Sequence, residues 1–308
     1  MSLKIAKPIP RIIGDVEGAR GPLLIACAGI HGNEPAGVIA LQKIVQMLEQ
    51  DKSKLRGRFI ALSGNRQALE LGKRFIDRDL NRMWDYQHVQ EVESQDLEHL
   101  ANEQRELREI LNVLESINLE DYSDFLFVDV HTTSAEGGVF AFSNDLQGSF
   151  DHAMALGIPV ISNLTERLSG TTINFFEERG LKSIGFEAGQ NEEIESIDRA
   201  IGGIGKLLIN IGGFDSGDIP DLDNFIDLVD EYGKDLPRVI RLCYRHEINE
   251  GDGFQMKSGF GNFQAVKQDD VLAVDKNGQI KALEDGLLLM PLYQSQGVDG
   301  FFIVQEES

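Results

Sequence analysis

A chain of 308 residues with 51 acidic and 29 basic side chains carries a formal net charge of −22, which argues against a nucleic-acid partner, because a phosphate-tracking surface needs clustered lysine and arginine. Two cysteines, Cys27 and Cys243, exclude a disulfide framework and a thiolate zinc cluster and point to a reduced, cytoplasmic setting. The length allows one large domain or a large one with a smaller companion; with neither a signal-peptide core nor an apolar run of about 18 residues, the expectation is a soluble protein with no membrane partner.

In chain order, residues 22–30 form a short apolar run bounded by Gly21 and by His31-Gly32-Asn33-Glu34-Pro35. That length and those flanks predict a buried strand. Residues 36–48 then place Val38, Ile39, Leu41, Ile44, Val45 and Leu48 on a helical stripe, with Pro35 near the first turn. Residues 58–63 predict a second strand. Residues 87–117, rich in Glu, Gln, Leu and Arg and free of Pro and Gly, predict one long amphipathic helix whose acidity is a solvated face. Residues 125–130, 160–162 and 183–187 read as further strands, and residues 192–209 as a helix. Short buried strands alternating with helices predict an α/β fold, with a mostly parallel or mixed central sheet covered by helices on both faces.

After Gly212 the texture changes. Residues 214–235 are acidic and punctuated by Gly and Pro, and short β-type runs follow at 238–245, 263–265, 271–274, 286–290 and 301–304. The dipeptides Asn277-Gly278 and Asp299-Gly300 read as turns. The expected division is a catalytic domain over residues 1–212 and a smaller β-rich C-terminal domain over 213–308.

The chemistry concentrates in a few places. His31 and Glu34 stand where the first strand gives way to its helix, and His131 ends another apolar strand in Asp129-Val130-His131-Thr132. Two imidazoles and one carboxylate suit a catalytic zinc with a coordination position left open. In an open parallel sheet, the crevice beyond the strand C-termini is where ligands collect. The other four histidines, His88, His99, His152 and His246, lie in polar or acidic settings and are expected at the surface. In residues 74–82 (RFIDRDLNR), Arg82 and Asn81 offer a planar fork and an amide donor for a substrate carboxylate. Arg74 could stabilise a developing oxyanion there, while Asp77, Arg78 and Asp79 could equally pair among themselves. Glu187, in Gly185-Phe186-Glu187-Ala188-Gly189, ends a strand among small residues, as a general base or a capping carboxylate would. Asp129 shares a strand face with His131 and could orient its imidazole.

His31-Gly32-Asn33-Glu34, Asp79-Leu80-Asn81-Arg82, Asp129-x-His131-Thr132 and Gly185-Phe186-Glu187-Ala188-Gly189 occur here in the order seen in the succinylglutamate desuccinylase/aspartoacylase family, a branch of zinc carboxypeptidase-like hydrolases. The chain resembles that family over residues 31–189, and its β-rich tail is similar to the family's C-terminal domain. The resemblance implies one zinc per chain on His31, Glu34 and His131, and Glu187 as general base and proton shuttle. It also implies Arg74 near the scissile carbonyl, and Asn81 with Arg82 at the carboxylate of a small anionic substrate. The implied activity is hydrolysis of the amide bond of an N-acylated amino acid or related small carboxylate. A carboxypeptidase acting on peptide C-termini and a catalytically silent metal-binding interaction protein are the alternatives, and a homo-oligomer is left open. Residues 168–174 (LSGTTIN) lack the Tyr and Arg that help aspartoacylases select acetylaspartate, and the family's late substrate-contacting Tyr has no clear counterpart around residues 297–300, although Tyr293 lies nearby.

Overall fold

The computed structural model describes residues 3, 5, 7–143, 148–219 and 222–307. Eleven strands form one mixed sheet. Its centre comprises β2 (Ala19–Ala28), β3 (Arg56–Ser63), β4 (Phe125–Thr133) and β7 (Ser183–Gln190), all parallel, with β1 (Ile12–Glu17) antiparallel to β3 at one edge. On the other side β5 (Val139–Phe142) runs antiparallel to β7 and leads to β6 (Val160–Ile161) and β8 (Val239–Glu247). From β8 the sheet continues through β14 (Asp299–Glu306), β13 (Gly286–Leu289) and β10 (Gln264–Val266), each antiparallel to its neighbour. A separate three-stranded sheet holds β9 (Gln255–Met256), β11 (Val271–Asp275) and β12 (Gly278–Lys281). The strands after residue 213 thus extend the main sheet as well as building a small one.

Side-chain alternation decides which face each residue serves. In β2, Leu24, Ala26 and Ala28 join one apolar cluster, and Leu23, Ile25 and Cys27 join the other. In β4, Leu126, Val128 and Val130 take the first face, and Phe125 and Phe127 the second. The first face is covered by α1 (Pro35–Gln50) and α7 (Glu195–Asn210), with α5 (Ser149–Ala155) and α8 (Leu222–Gly233) against α7. The second carries apolar residues of α3 (Tyr86–Glu93), α4 (Asn102–Glu115) and α6 (Thr172–Glu177). By this parity Asp129 and His131 in β4, and Glu187 in β7, turn to the second face.

Four expectations change. The segment 87–117 folds as two helices, α3 and α4, rather than one. The turn after α3 is held by the bond from the His99 N–H to the Asp96 carbonyl, and Asn102 adopts φ +35°. A straight rod could not fold α3 back against α4, which it contacts, so burial overrides local propensity. The acidity of this stretch is not all solvated either: Glu103 and Glu106 are buried. Residues 222–233 are helical inside the acidic stretch, because the amphipathic α8 packs on α7. Asp299 and Gly300 open β14 instead of making a turn, whereas Asn277 and Gly278 do turn between β11 and β12. Strands β1 and β5, and the short helix α2 (Arg66–Leu71), had no clear sequence signal.

Candidate active site

The second face carries the site at the C-terminal ends of β2, β4 and β7. His31 lies just beyond β2 and Glu34 immediately before α1, while His131 and Glu187 are register partners on adjacent parallel strands. All four side chains are buried. The loop that carries His31 needs Gly32: a Cβ there would lie 2.1 Å from the backbone carbon of Ala68, and the Gly32 N–H bonds the Arg74 carbonyl at 3.0 Å. The Gly185 in front of Glu187 has a similar role, since a Cβ there would meet the Phe142 ring at 2.0 Å.

One donor atom each from His31, Glu34 and His131 lies within 4.8 Å of the others. His31 Nδ1 is 2.9 Å from Glu34 Oε1, and His131 Nδ1 is 3.0 Å from Glu34 Oε2. The outer nitrogens are also held: His31 Nε2 is 3.0 Å from Asp79 Oδ1, and His131 Nε2 is 3.0 Å from Asp129 Oδ2. A carboxylate on the far nitrogen fixes tautomer and ring orientation, as metal-ligating imidazoles require. Asp129 in turn accepts from Thr172 Oγ1, and the Thr132 N–H donates to Glu34 Oε2 at 3.2 Å.

Charges in this pocket are mutually adjusted. Burial alone would raise the Glu34 carboxyl, but the His31 charge and the bonds from His131 and His31 outweigh it and hold it well below the usual carboxylate range. Burial also acts against a low value at Asp79, where His31 and Arg74 prevail and hold it well below normal. Burial would lower His131, yet Asp129 and Glu34 raise it well above an ordinary imidazole. Glu187 goes the other way: burial, reinforced by Glu34 and opposed by His131, pushes it up to about 8.

Arg74 reaches Glu34 Oε1 at 3.5 Å and Asp79 Oδ2 at 3.3 Å. Asn81 Oδ1 accepts the Thr172 N–H at 3.0 Å, while its Nδ2 lies 3.4 Å from His131 Nε2, whose proton faces Asp129. Arg82 donates to the Asn81 carbonyl at 2.7 Å and to Asp299 Oδ2 at 3.1 Å. His31, Glu34, Arg74, Asn81, Arg82, His131 and Glu187 line one open cleft, with Asp129 behind it. Within it Glu187 Oε2, Thr132 Oγ1 and Arg74 Nε are buried and lack a partner among the described residues. Buried polar atoms seldom stay unpaired without a role. The donor set, its outer carboxylates and these three unpaired atoms fit a divalent cation with a polar ligand beside it.

Comparison with known proteins decides the family. A profile of the succinylglutamate desuccinylase/aspartoacylase catalytic domain matches residues 20–203, more than half the chain. The chain belongs to the succinylglutamate desuccinylase/aspartoacylase family. Among its curated members, the succinylglutamate desuccinylase of Pseudomonas paraeruginosa is 32% identical over 117 residues, 37% of this chain and 33% of that one. The enzyme of that name from Ectopseudomonas mendocina is 35% identical over 83 residues, 25% of each chain. The chain thus aligns with a third or less of these relatives' length. Solved structures extend the likeness in fold: a succinylglutamate desuccinylase/aspartoacylase from Rhodobacter sphaeroides superposes with a TM-score of 0.69 at 18% identity, over 96% of this chain and 88% of that one. The product-bound ectoine utilization protein EutE (DoeB) from Ruegeria pomeroyi gives 0.66 at 19% identity, over 95% and 87%.

The structure also brings in residues that the sequence reading passed over. Glu103, assigned above to a solvated face, accepts the backbone N–H groups of Ile76, Asp77 and Arg78 at 2.6, 3.1 and 3.4 Å and the Asn65 amide at 2.9 Å, pinning the loop that carries Arg74 and Arg82. The local signal for it is its spacing, four residues before Leu107 on the stripe that continues through Ile110 and Leu111. Asp299, read as part of a turn, bridges Arg82 and Arg245, the latter at 2.6 Å. The Tyr293 hydroxyl donates its proton to the Lys257 carbonyl at 2.9 Å and accepts the Phe260 N–H at 3.0 Å, so it is spent inside the C-terminal segment. Of the remaining histidines, His99 is exposed and His88, His152 and His246 are half-buried; His88 pairs with Asp85 at 2.6 Å and His246 stacks on Phe301.

Proposed function

We propose that the protein is a zinc-dependent amidohydrolase that cleaves the amide bond of an N-acylated amino acid or related small carboxylate, one zinc per chain, in the cytoplasm. The observation that carries this reading is the buried cluster of His31, Glu34 and His131 with Glu187 in register beside it. Membership of a deacylase family supports it. Zinc bound by these three residues would supply Lewis-acid polarisation of the carbonyl and activation of the attacking water.

The chain's own residues do the rest. Glu187 accepts a proton from the water as its oxygen bonds to the carbonyl carbon, then delivers that proton to the nitrogen as the C–N bond breaks. Arg74 faces the charge that develops on the carbonyl oxygen. Arg82 and the Asn81 amide hold the substrate carboxylate, and the Asn81 backbone carbonyl accepts from Arg82 and fixes its guanidinium. In this reading residues 1–212 are the catalytic unit and residues 213–308 a module that closes over the cleft, where Met290, Leu292, Gln294 and Asp299 line it. That cover disfavours a peptidase, which needs an open groove for a long substrate.

The test is metal analysis joined to an N-acyl amino acid panel. Purified protein should hold about one zinc per chain, and the double variant His31→Ala, His131→Ala almost none. Glu187→Gln should retain zinc yet lose on the order of 10²–10⁴ in kcat. Full occupancy in the double variant, or unchanged turnover in Glu187→Gln, would overturn the assignment.

A further inference from the structure

From the composition of the cleft wall we infer that the substrate carries one carboxylate and an apolar arm, not the two or more carboxylates of an acylated aspartate or glutamate. The inference rests on the amidohydrolase reading and deepens it. Its first support is charge. Among the described residues, the cations lining the cleft besides the two imidazoles are Arg74 and Arg82, and neither is free. Arg74 is paired with Glu34 and Asp79, and Arg82 with Asp299. Asp299 is shared with Arg245, which approaches it from outside the cleft lining. Arg82 can therefore turn its remaining N–H groups to one incoming carboxylate, whereas Arg74, its charge matched by Glu34 and Asp79, keeps only an Nε–H unpartnered among the described residues, so a second carboxylate would meet Asp79 or Asp299 with no cation in excess to receive it. Uncompensated like charges in a partly desolvated site are strongly unfavourable.

The second support is the wall itself. Phe142, Leu164 and Phe302 are buried members of the apolar cluster on this sheet face, Leu168 and Met290 pack against it, and Leu292 and Val298 add two more apolar side chains to the lining. A succinyl or aspartyl carboxylate set against these groups would lose its hydration without gaining a partner. An alkyl or aryl arm would gain from burial, by about threefold to fourfold per methylene. The stretch 168–174 supplies Leu168 and Thr171 to the cleft and no charged side chain.

Two substrate pairs test the inference, each changing one arm and nothing else of consequence: N-acetyl-leucine against N-acetyl-aspartate, and N-pentanoyl-glycine against N-succinyl-glycine. With zinc-loaded protein, kcat/KM should favour the monocarboxylate of each pair by at least about tenfold. Asp299→Asn should narrow that ratio, chiefly by raising kcat/KM for the dicarboxylates, and Leu168→Ser should narrow it by lowering kcat/KM for the apolar arm. The same four compounds titrated calorimetrically into Glu187→Gln protein give the ranking without turnover. Absence of hydrolysis for all four would remove the amidohydrolase reading while the titration still ranks the ligands. Hydrolysis with the dicarboxylates preferred would leave that reading standing and overturn the inference, as would binding of none of the four.

Discussion

At the scale of single residues, the site is a set of paired ionisable groups whose protonation depends on whether a cation is present. Asp129 touches the outer nitrogen of His131 and accepts from Thr172, so Asp129→Asn should leave the fold intact while weakening zinc affinity by about 10–100-fold in a chelator competition. The raised groups make a second prediction for metal-free protein. Native Glu187 keeps a proton up to about pH 8, whereas the unfolded chain loses it near 4.5. Stability from this group therefore falls as pH rises from about 4.5 to about 8 and then levels off. His131 acts in the same direction: its pairing with Asp129 and Glu34 stabilises fully below 6.5, the unfolded value, and is lost as pH climbs through the higher folded value. Glu34 and Asp79, both held low, limit stability at the acid end, because their contribution is lost as pH falls below the unfolded carboxyl values. Thermal melts in chelator should peak at mildly acidic pH and decline toward pH 8. Zinc, binding the deprotonated ligands, should raise Tm and flatten that decline.

At the scale of elements, the site depends on a helix that does not touch it. Glu103 on α4 collects three backbone N–H groups from the loop between α2 and the Leu80–Arg82 turn, so one buried carboxylate sets where Arg74 and Arg82 point. Glu103→Ala would leave those donors and the Asn65 amide unpaired and should cost at least about 2 kcal/mol in urea unfolding. Turnover in the folded fraction should drop as well, because Arg74 loses its anchor. Unchanged turnover would show that this loop is positioned by its ends alone. The buried strands at 22–30, 125–130 and 183–187 were readable in advance, since a short apolar run between turn-forming residues is a local signal. The division of residues 87–117 into α3 and α4 was not, because the helix-forming residues run on without Pro or Gly and only packing against the second sheet face breaks them.

At the scale of the whole molecule, a charge of −22 surrounds a cleft in which every guanidinium is paired. Long-range repulsion should slow the approach of an anionic substrate at low salt, where the Debye length is about 30 Å at 0.01 M, and fade as it shrinks to about 8 Å at 0.15 M. For any monoanionic substrate, kcat/KM should therefore rise over that range; a fall would mean that a local cationic field dominates encounter. No helix among the described residues is long and apolar enough to cross a membrane, and both cysteines are free.

The fold class, the family, and His31, Glu34, His131 and Glu187 as candidate site residues could be read from the chain alone. Strand-and-helix periodicity is local, and the residue types that bind metal and move protons are few enough to stand out at strand ends. Their convergence depends on register, which pairs His131 with Glu187 across two strands distant in sequence. The roles of Asp79, Glu103 and Asp299 were likewise decided by tertiary structure. Each is an acidic residue in a chain with 51 of them, and only the partner that folding brings to it separates a buried ion pair from a solvated surface charge.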